Sequence, residues 1–462
     1  MDTLRRGLDS REAKGIEYVE LRADDVVQTA IDARERGVEV ISKRIESGHS
    51  ARVLLNGCWG FAVADGSKNV ALTIGQAAKV ARSLAGGKNT GSVELADIRP
   101  VRKHAKAVAE TPLDQVRTAD KAAFCKRLSS YVVGTDKRMT SALSMYRDFC
   151  GKRYLVTSEG AEVETDVSML YLYSSASGKE NGSPASSRDE VAVTGCGWEH
   201  FERVEPHEVI GNRLKRKVQN EMSGAKCKRG SFPCILGPKV AGMLAHEALG
   251  HLSEADFFAS GAFAGLVGKR VAPEMVTMVD SPFVKGWFGN IEVDDEGVSP
   301  RKVVVIDKGV LGEQMTNREW ARKLGKKPTG NARAESYRFP PIIRMRNTYF
   351  ERGDMRRDEL LESIKFGYYC GDIRGGQAEA NSSFQVGIQE CHEILNGEIA
   401  GPVRDLAISG MAVKSLMLID GLGKDFGFES SYCGKINQSM ATSDGGPDIR
   451  LRKGAIVFGG SG

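Results

Sequence analysis

Seven histidines occur in the 462 residues, and three are followed at once by glutamate: His207-Glu208, His246-Glu247 and His392-Glu393. The dipeptide alone therefore carries little. Only the second continues to another histidine, in His246-Glu247-Ala248-Leu249-Gly250-His251. Two imidazoles around a carboxylate are the working parts of a zinc hydrolase, in which ring nitrogens bind the metal and the glutamate moves protons. The spacing is unusual. H-E-x-x-H stacks both rings on one helical face at i, i+4. At i, i+5 a straight helix turns the second ring about 140° from the first. Both rings can meet one metal only if the helix widens into a π-turn or breaks before His251. Gly250 is the residue suited to a break, because it tolerates unusual backbone angles. A regular helix is thus not expected to run through it. A catalytic zinc also wants a third protein ligand and an open position. Glu254 and Asp256 are near in sequence, and Cys433, beside Gly434, is a distant rival. Spacing does not choose among them.

Elements must position these groups. Pro238 suits a helix N-terminus, and Val240, Met243 and Leu244 give an apolar face to a helix over 240–249. In the first half, 52–55 and 58–62 flank Asn56-Gly57, a pair made for a two-residue hairpin turn. The periodicity predicts helices over 70–84, stopping at Gly86-Gly87, and over 119–132, with Phe124, Leu128 and Tyr131 on one face. Strands are predicted over 153–156, 162–168 and 169–174, with a turn at Ser158-Glu159-Gly160. The alternating Glu162, Glu164 and Asp166 read as the wet face of a sheet. A helix over 211–222 leads into a linker, and the domain boundary is placed there. Further strands are predicted over 302–306, 310–314, 342–350, 383–389, 392–395 and 455–458, and further helices over 318–324 and 411–419. The expected architecture is α+β with two domains, 1–222 and 223–462, the second rich in antiparallel sheet.

Composition narrows the function classes. Apolar residues are 41% and charged residues 27%, an ordinary globular balance. A net charge of +5 gives no basic stripe for nucleic acid. The densest basic stretch, 213–229, reads as a solvated helix and linker. No apolar run is long enough to span a membrane, and the first residues show no secretory signal. Nine scattered cysteines without C-x-x-C argue against a disulfide framework and for a reducing cytoplasm.

The segment from His246 to Asp256 resembles the H-E-A-x-G-H-x-x-E-x-D segment of the TldD/PmbA metallopeptidase family, formerly called "modulator of DNA gyrase". The likeness extends to 52–62 with Trp59-Gly60-Phe61, to Asp294-Asp295-Glu296-Gly297, to Thr329-Gly330-Asn331, and to the run from Arg344 to Tyr349. It closes with Cys433-Gly434-Lys435 and Phe458-Gly459-Gly460. Ala332 and Cys391 depart from the family's usual glycine and aromatic. The chain keeps the metal motif and so resembles the TldD type. The resemblance implies a zinc peptidase with His246, His251 and Cys433 as ligands and Glu247 as general base. It also implies an unfolded peptide substrate, and a homodimer or a heterodimer with a TldE/PmbA-type paralogue. Tyr337, Arg333 and Arg344 are the groups considered for oxyanion stabilisation, and Glu254 for orienting a histidine. The competing expectation is a binding module with a vestigial metal site that modulates a partner.

Overall fold

The computed structural model describes residues 1–85, 92–258, 261–379 and 381–460. Strand makes up 45% and helix 24%, which is the expected α+β class.

The first sheet has seven strands: β1 (Tyr18–Arg34), β2 (Gly37–Leu55), β3 (Cys58–Asp65), β4 (Arg102–Ala105), β5 (Met139–Thr157), β6 (Glu162–Glu180) and β7 (Ser183–Thr194). Their order is β3-β2-β1-β5-β6-β4, with β7 on β6. Several are far longer than the sequence pattern suggests. The segments over 52–55 and 153–156 are only the ends of 19-residue strands. Asn56 and Gly57 take φ of 51° and 70° and close the β2–β3 hairpin.

Helix α1 (Val70–Ala85) sets Val70, Ile74, Ala77 and Ala81 against Leu21, Ala51 and Val53. Gly60 lets it close in, since a Cβ there would stand 1.9 Å from the Ala77 carbonyl. The stop expected at Gly86-Gly87 lies outside the described residues. Helices α2 (Thr118–Gly134) and α3 (His207–Ser223) share a core through Phe124, Leu128, Ile210, Leu214 and Val218. The basic stretch that α3 opens is not simply solvated. Lys217 is buried between Asp189, at 2.7 Å, and Asp372, and Arg213 pairs with Asp189 at 2.6 Å. Those charges are spent on joining β7 to the second sheet.

The second sheet has thirteen strands. Its centre comprises β8 (Cys234–Leu236), β9 (Asn347–Phe350), β10 (Phe366–Ala378), β11 (Ser383–Leu395), β12 (Ile419–Lys435) and β13 (Gln438–Leu451). β13 runs parallel to β9 and antiparallel to β12 and β8, while β10 is parallel to β8 and antiparallel to β11. The strand predicted over 342–350 divides into Ile342–Ile343 and β9. Between them Arg346 is fully buried on Asp280 at 2.6 Å, and Arg344 donates to the Cys433 carbonyl at 2.5 Å. Ile342–Ile343 pairs instead with Ala332–Arg333 in a separate two-stranded sheet.

Candidate metal centre

A short helix, α4 (Pro238–Met243), begins with Pro238 in its first turn and buries Val240 and Ala241. It passes directly into a π-helix, Leu244–Gly250, and then a 3₁₀ turn, His251–Ser253. The His251 N–H donates to the His246 carbonyl, which is the i→i+5 closure of a π-turn. The wider turn cancels the rotation that a straight helix would impose. The two imidazole centroids are 5.3 Å apart with their planes at 88°.

Gly250 does not break the chain. Its φ and ψ are −61° and −52°, ordinary helical values. The glycine answers a lack of space instead: a Cβ there would lie 2.1 Å from Met345 Sδ and 3.0 Å from the Ala245 carbonyl.

Cys433 arrives from the second sheet. The β12–β13 hairpin turns at Ile436-Asn437, both at positive φ, and pairs Cys433 with Met440. The Cys433 Sγ is 3.3 Å from His251 Nε2. Donor atoms of His246, His251 and Cys433 all lie within 4.8 Å of one another. Burial alone would push the thiol up, but His246 and His251 outweigh it and bring Cys433 down to about 5. Burial opposes charge on the rings, yet Cys433 and nearby carboxylates carry His246 up to about 9 and His251 up to about 10. Two imidazoles and a thiol that ionises readily form a donor set suited to a soft divalent ion.

Of the other residues that spacing left open, Glu254 and Asp256 sit one layer out. Glu254 Oε2 is 3.1 Å from the opposite ring nitrogen of His251, Nδ1, and 3.0 Å from Lys435 Nζ. Asp256 also holds Lys435, at 2.8 Å. Glu254 is buried, and His251 and Lys435 overcome that burial to keep its pKa below the usual carboxylate value. Glu247 Oε2 stands 4.0 Å from His251 Nε2. Glu247 and His251 line a cavity of about 370 Å³ together with Phe257, Gly434, Lys435 and Ile436.

The oxyanion candidates are elsewhere. Tyr337 donates to Asp65 at 2.6 Å, Arg333 to the Met345 carbonyl at 2.8 Å, and Arg344 to Cys433's carbonyl. None lines the cavity beside Glu247. Two residues at the centre had no role in the sequence reading. Lys435 was legible in principle, two positions beyond Cys433 and so on the same face of a strand. Asp444 was not. Its Oδ1 is 3.8 Å from His246 Nδ1, a buried nitrogen without a hydrogen bond. Burial pushes Asp444 up to about 7 against the pull of His246.

Three family models match the chain: PmbA/TldA metallopeptidase domain 1 at residues 19–85, the central domain at 111–220 and the C-terminal domain at 229–457. A "zinc metalloprotease TldD homolog" of Saccharolobus solfataricus is 33% identical over 443 residues, 96% of this chain and 97% of that one. A metalloprotease of Methanothermobacter thermautotrophicus is 33% identical over 448 residues, 96% of this chain and 95% of that one. Among solved structures, TldE from Thermococcus kodakarensis superposes with a TM-score of 0.76 at 20% identity, over 99% of this chain and 100% of that one. That last likeness is one of fold.

Proposed function

Since the chain belongs to the PmbA/TldA metallopeptidase family, we propose that it is a zinc-dependent peptidase in which His246, His251 and Cys433 hold the metal and Glu247 is the general base. One observation carries this: donor atoms of two neighbouring histidines and of a cysteine 182 residues beyond the second lie within 4.8 Å, beside a cavity that Glu247 also lines. When bound, zinc supplies Lewis acidity that lowers the pKa of water and polarises a peptide carbonyl. Glu247 takes the proton of the attacking water on its carboxylate and delivers it to the leaving amine. Glu254 holds His251 by Nδ1 and so keeps Nε2 turned toward Cys433, while Lys435 balances the buried charge of Glu254. The proposed substrate is an unfolded peptide, whose side chains would meet Leu252, Phe257 and Ile436 in the cavity.

A homodimer, or a pairing with a TldE/PmbA-type paralogue, accompanies this proposal, as does a cytoplasmic site of action. No helix among the described residues is long and apolar enough to cross a membrane. The decisive experiment measures zinc by elemental analysis and cleavage of a denatured, labelled protein. Glu247→Ala should keep its zinc and lose about 10²–10⁴-fold in turnover. A binding module with a vestigial site would be indifferent to that change. Zinc-free wild-type protein, or unaltered turnover in Glu247→Ala, overturns the proposal.

A further inference from the structure

A second cavity, about 630 Å³, opens where the first sheet meets the hairpin that carries Cys433. It shares no lining residue with the cavity beside Glu247. Strands β1, β2, β5 and β6 supply one wall, and Tyr432, Met440 and Ala441 supply part of the other. Much of the surface is apolar, through Phe149, Met169, Tyr171, Phe288 and Tyr432. A smaller cavity of about 180 Å³ adjoins it and shares Arg153 and Arg333.

Arg333 is the unusual group in this space. It is only 6% exposed, so its charge is almost wholly withdrawn from water. Its one hydrogen bond runs from Nη1 to the Met345 carbonyl, and it forms no ion pair among the described residues. Buried charges in proteins are ordinarily paired, because desolvation without a partner is expensive. Burial draws Arg333 down to about 10, with Arg344 and Arg346 adding to the fall and Asp295 and Asp280 opposing it. Arg153 lines the same space with Nε buried and without a hydrogen bond, its nearest carboxylate, Asp24, being 3.8 Å away.

The carboxylates of the larger cavity are already engaged. Asp166 is 2.8 Å from His104, Glu46 is 3.6 Å from Arg338, and Glu335 accepts the Ser439 N–H at 2.6 Å. None of them pairs with Arg333, and Asp295, the carboxylate that acts on it most strongly, lines the adjoining cavity without forming an ion pair to it. The space therefore combines an apolar lining with a guanidinium held by one hydrogen bond and no ion pair, and a planar carboxylate is the anion that its fork of N–H donors fits. The volume lies within the range of small-molecule and peptide-end sites.

We propose that this cavity binds a carboxylate carried on an apolar body, with the carboxylate on Arg333 and the body against Phe149, Met169, Phe288 and Tyr432. The site is separate from the metal centre and does not depend on peptidase activity. Either the C-terminus of an apolar peptide or a small free acid has this chemistry.

Calorimetric titration of the metal-loaded protein with acetyl-Phe-Leu and its C-terminal amide, and with 4-phenylbutyrate, tests the assignment. The peptide acid should bind at least about tenfold more tightly than the amide, and Arg333→Gln should weaken it by a similar factor. Binding of 4-phenylbutyrate with the same dependence on Arg333 identifies a free acid as sufficient. Its failure, with the peptide acid bound, identifies a chain terminus. Binding should survive stripping of the metal with a chelator, which separates this cavity from carboxylate ligation at zinc. Equal binding of acid and amide overturns the proposal, as do unaltered binding in Arg333→Gln and binding that vanishes with the metal. The acid-against-amide comparison needs no substitution, so the outcome stands even where Arg333→Gln fails to fold.

Discussion

His104, Glu164 and Asp166 gather their donor atoms as tightly as His246, His251 and Cys433 do, within 4.8 Å, yet the two clusters differ in nearly everything around them. The first sits on the first sheet, where neighbours are close by construction. His104 lies opposite Glu164 in the β4–β6 register, and Asp166 follows two residues on, along the same face. Each of its charges already has a partner: Lys152 holds Glu164, and His104 is 2.8 Å from Asp166. The second cluster joins residues 182 apart, needs a π-turn to align its rings, and leaves the buried Nδ1 of His246 without a hydrogen bond. Proximity of donors is cheap on a sheet surface and costly in an interior. Burial, long sequence separation and incomplete satisfaction are what mark a grouping as assembled for a ligand.

The widest gap between the clusters is expected in zinc content and turnover. His251→Ala should lose its zinc and about 10³-fold or more in cleavage of a denatured protein, whereas His104→Ala should change neither. Elemental analysis beside the same assay decides it, and zinc lost from His104→Ala would reverse the comparison. A chemical contrast comes next. In protein stripped of metal, iodoacetamide at pH 7 should modify Cys433 about 10²-fold faster than Cys125, Cys150 or Cys196. Burial pushes those three thiols up to about 12, while the histidines outweigh burial at Cys433 and bring it down to about 5. The thiolate at Cys433 is lost only as pH falls through about 5, so its advantage should persist to mildly acid pH and vanish when zinc is restored. Peptide mapping by mass spectrometry reads this directly.

What the sequence could reveal follows from where each constraint acts. The H-E-x-x-x-H spacing demanded a π-turn or a break by helical geometry alone, and the structure has the π-turn. The role of Gly250 was misjudged because its reason is Met345, 95 residues on, and no local pattern records a close approach across the core. The wet sheet face at Glu162, Glu164 and Asp166 was legible from period-2 alternation, since side chains on one face share one environment. The length of β2 was not, because its outer half is exposed and joins no core that would impose a pattern on it. Lys217 looked like one more surface cation until the fold brought Asp372 to it. Cys433 itself was singled out by family resemblance, and residue spacing alone left Glu254 and Asp256 equally open.

Smaller effects sharpen the contrast in support rather than in ligation. Glu254→Gln keeps the size of the side chain but weakens its hold on His251 Nδ1, so zinc affinity should fall about 10–100-fold. Competition with a chromophoric chelator measures that shift, and an unchanged affinity would show that Glu254 serves only Lys435. Gly250→Ala should destabilise the chain by about 1–3 kcal/mol, because the new methyl overfills the space held by Met345. Met345→Ala in the same chain should return part of the loss. Urea denaturation of the two variants and their combination measures the coupling, and strict additivity would remove the steric explanation.

The smallest change is expected at the surface cluster, and there the size of the effect is itself the test. Lys152 is 45% exposed at its side chain, and Glu164 and Asp166 are 26% and 27% exposed. Exposed pairs of this kind contribute little, since water and salt screen them and long side chains must be ordered to meet. Glu164→Gln should therefore alter stability by less than about 1 kcal/mol, and that difference should shrink as salt is raised from low to physiological strength. Titration of zinc into Cys433→Ser, where the interior cluster is broken and His104, Glu164 and Asp166 are intact, should show no tight binding. A submicromolar site in that variant, abolished by His104→Ala, would make the surface cluster a true ligand set and remove burial as the feature that separates the two.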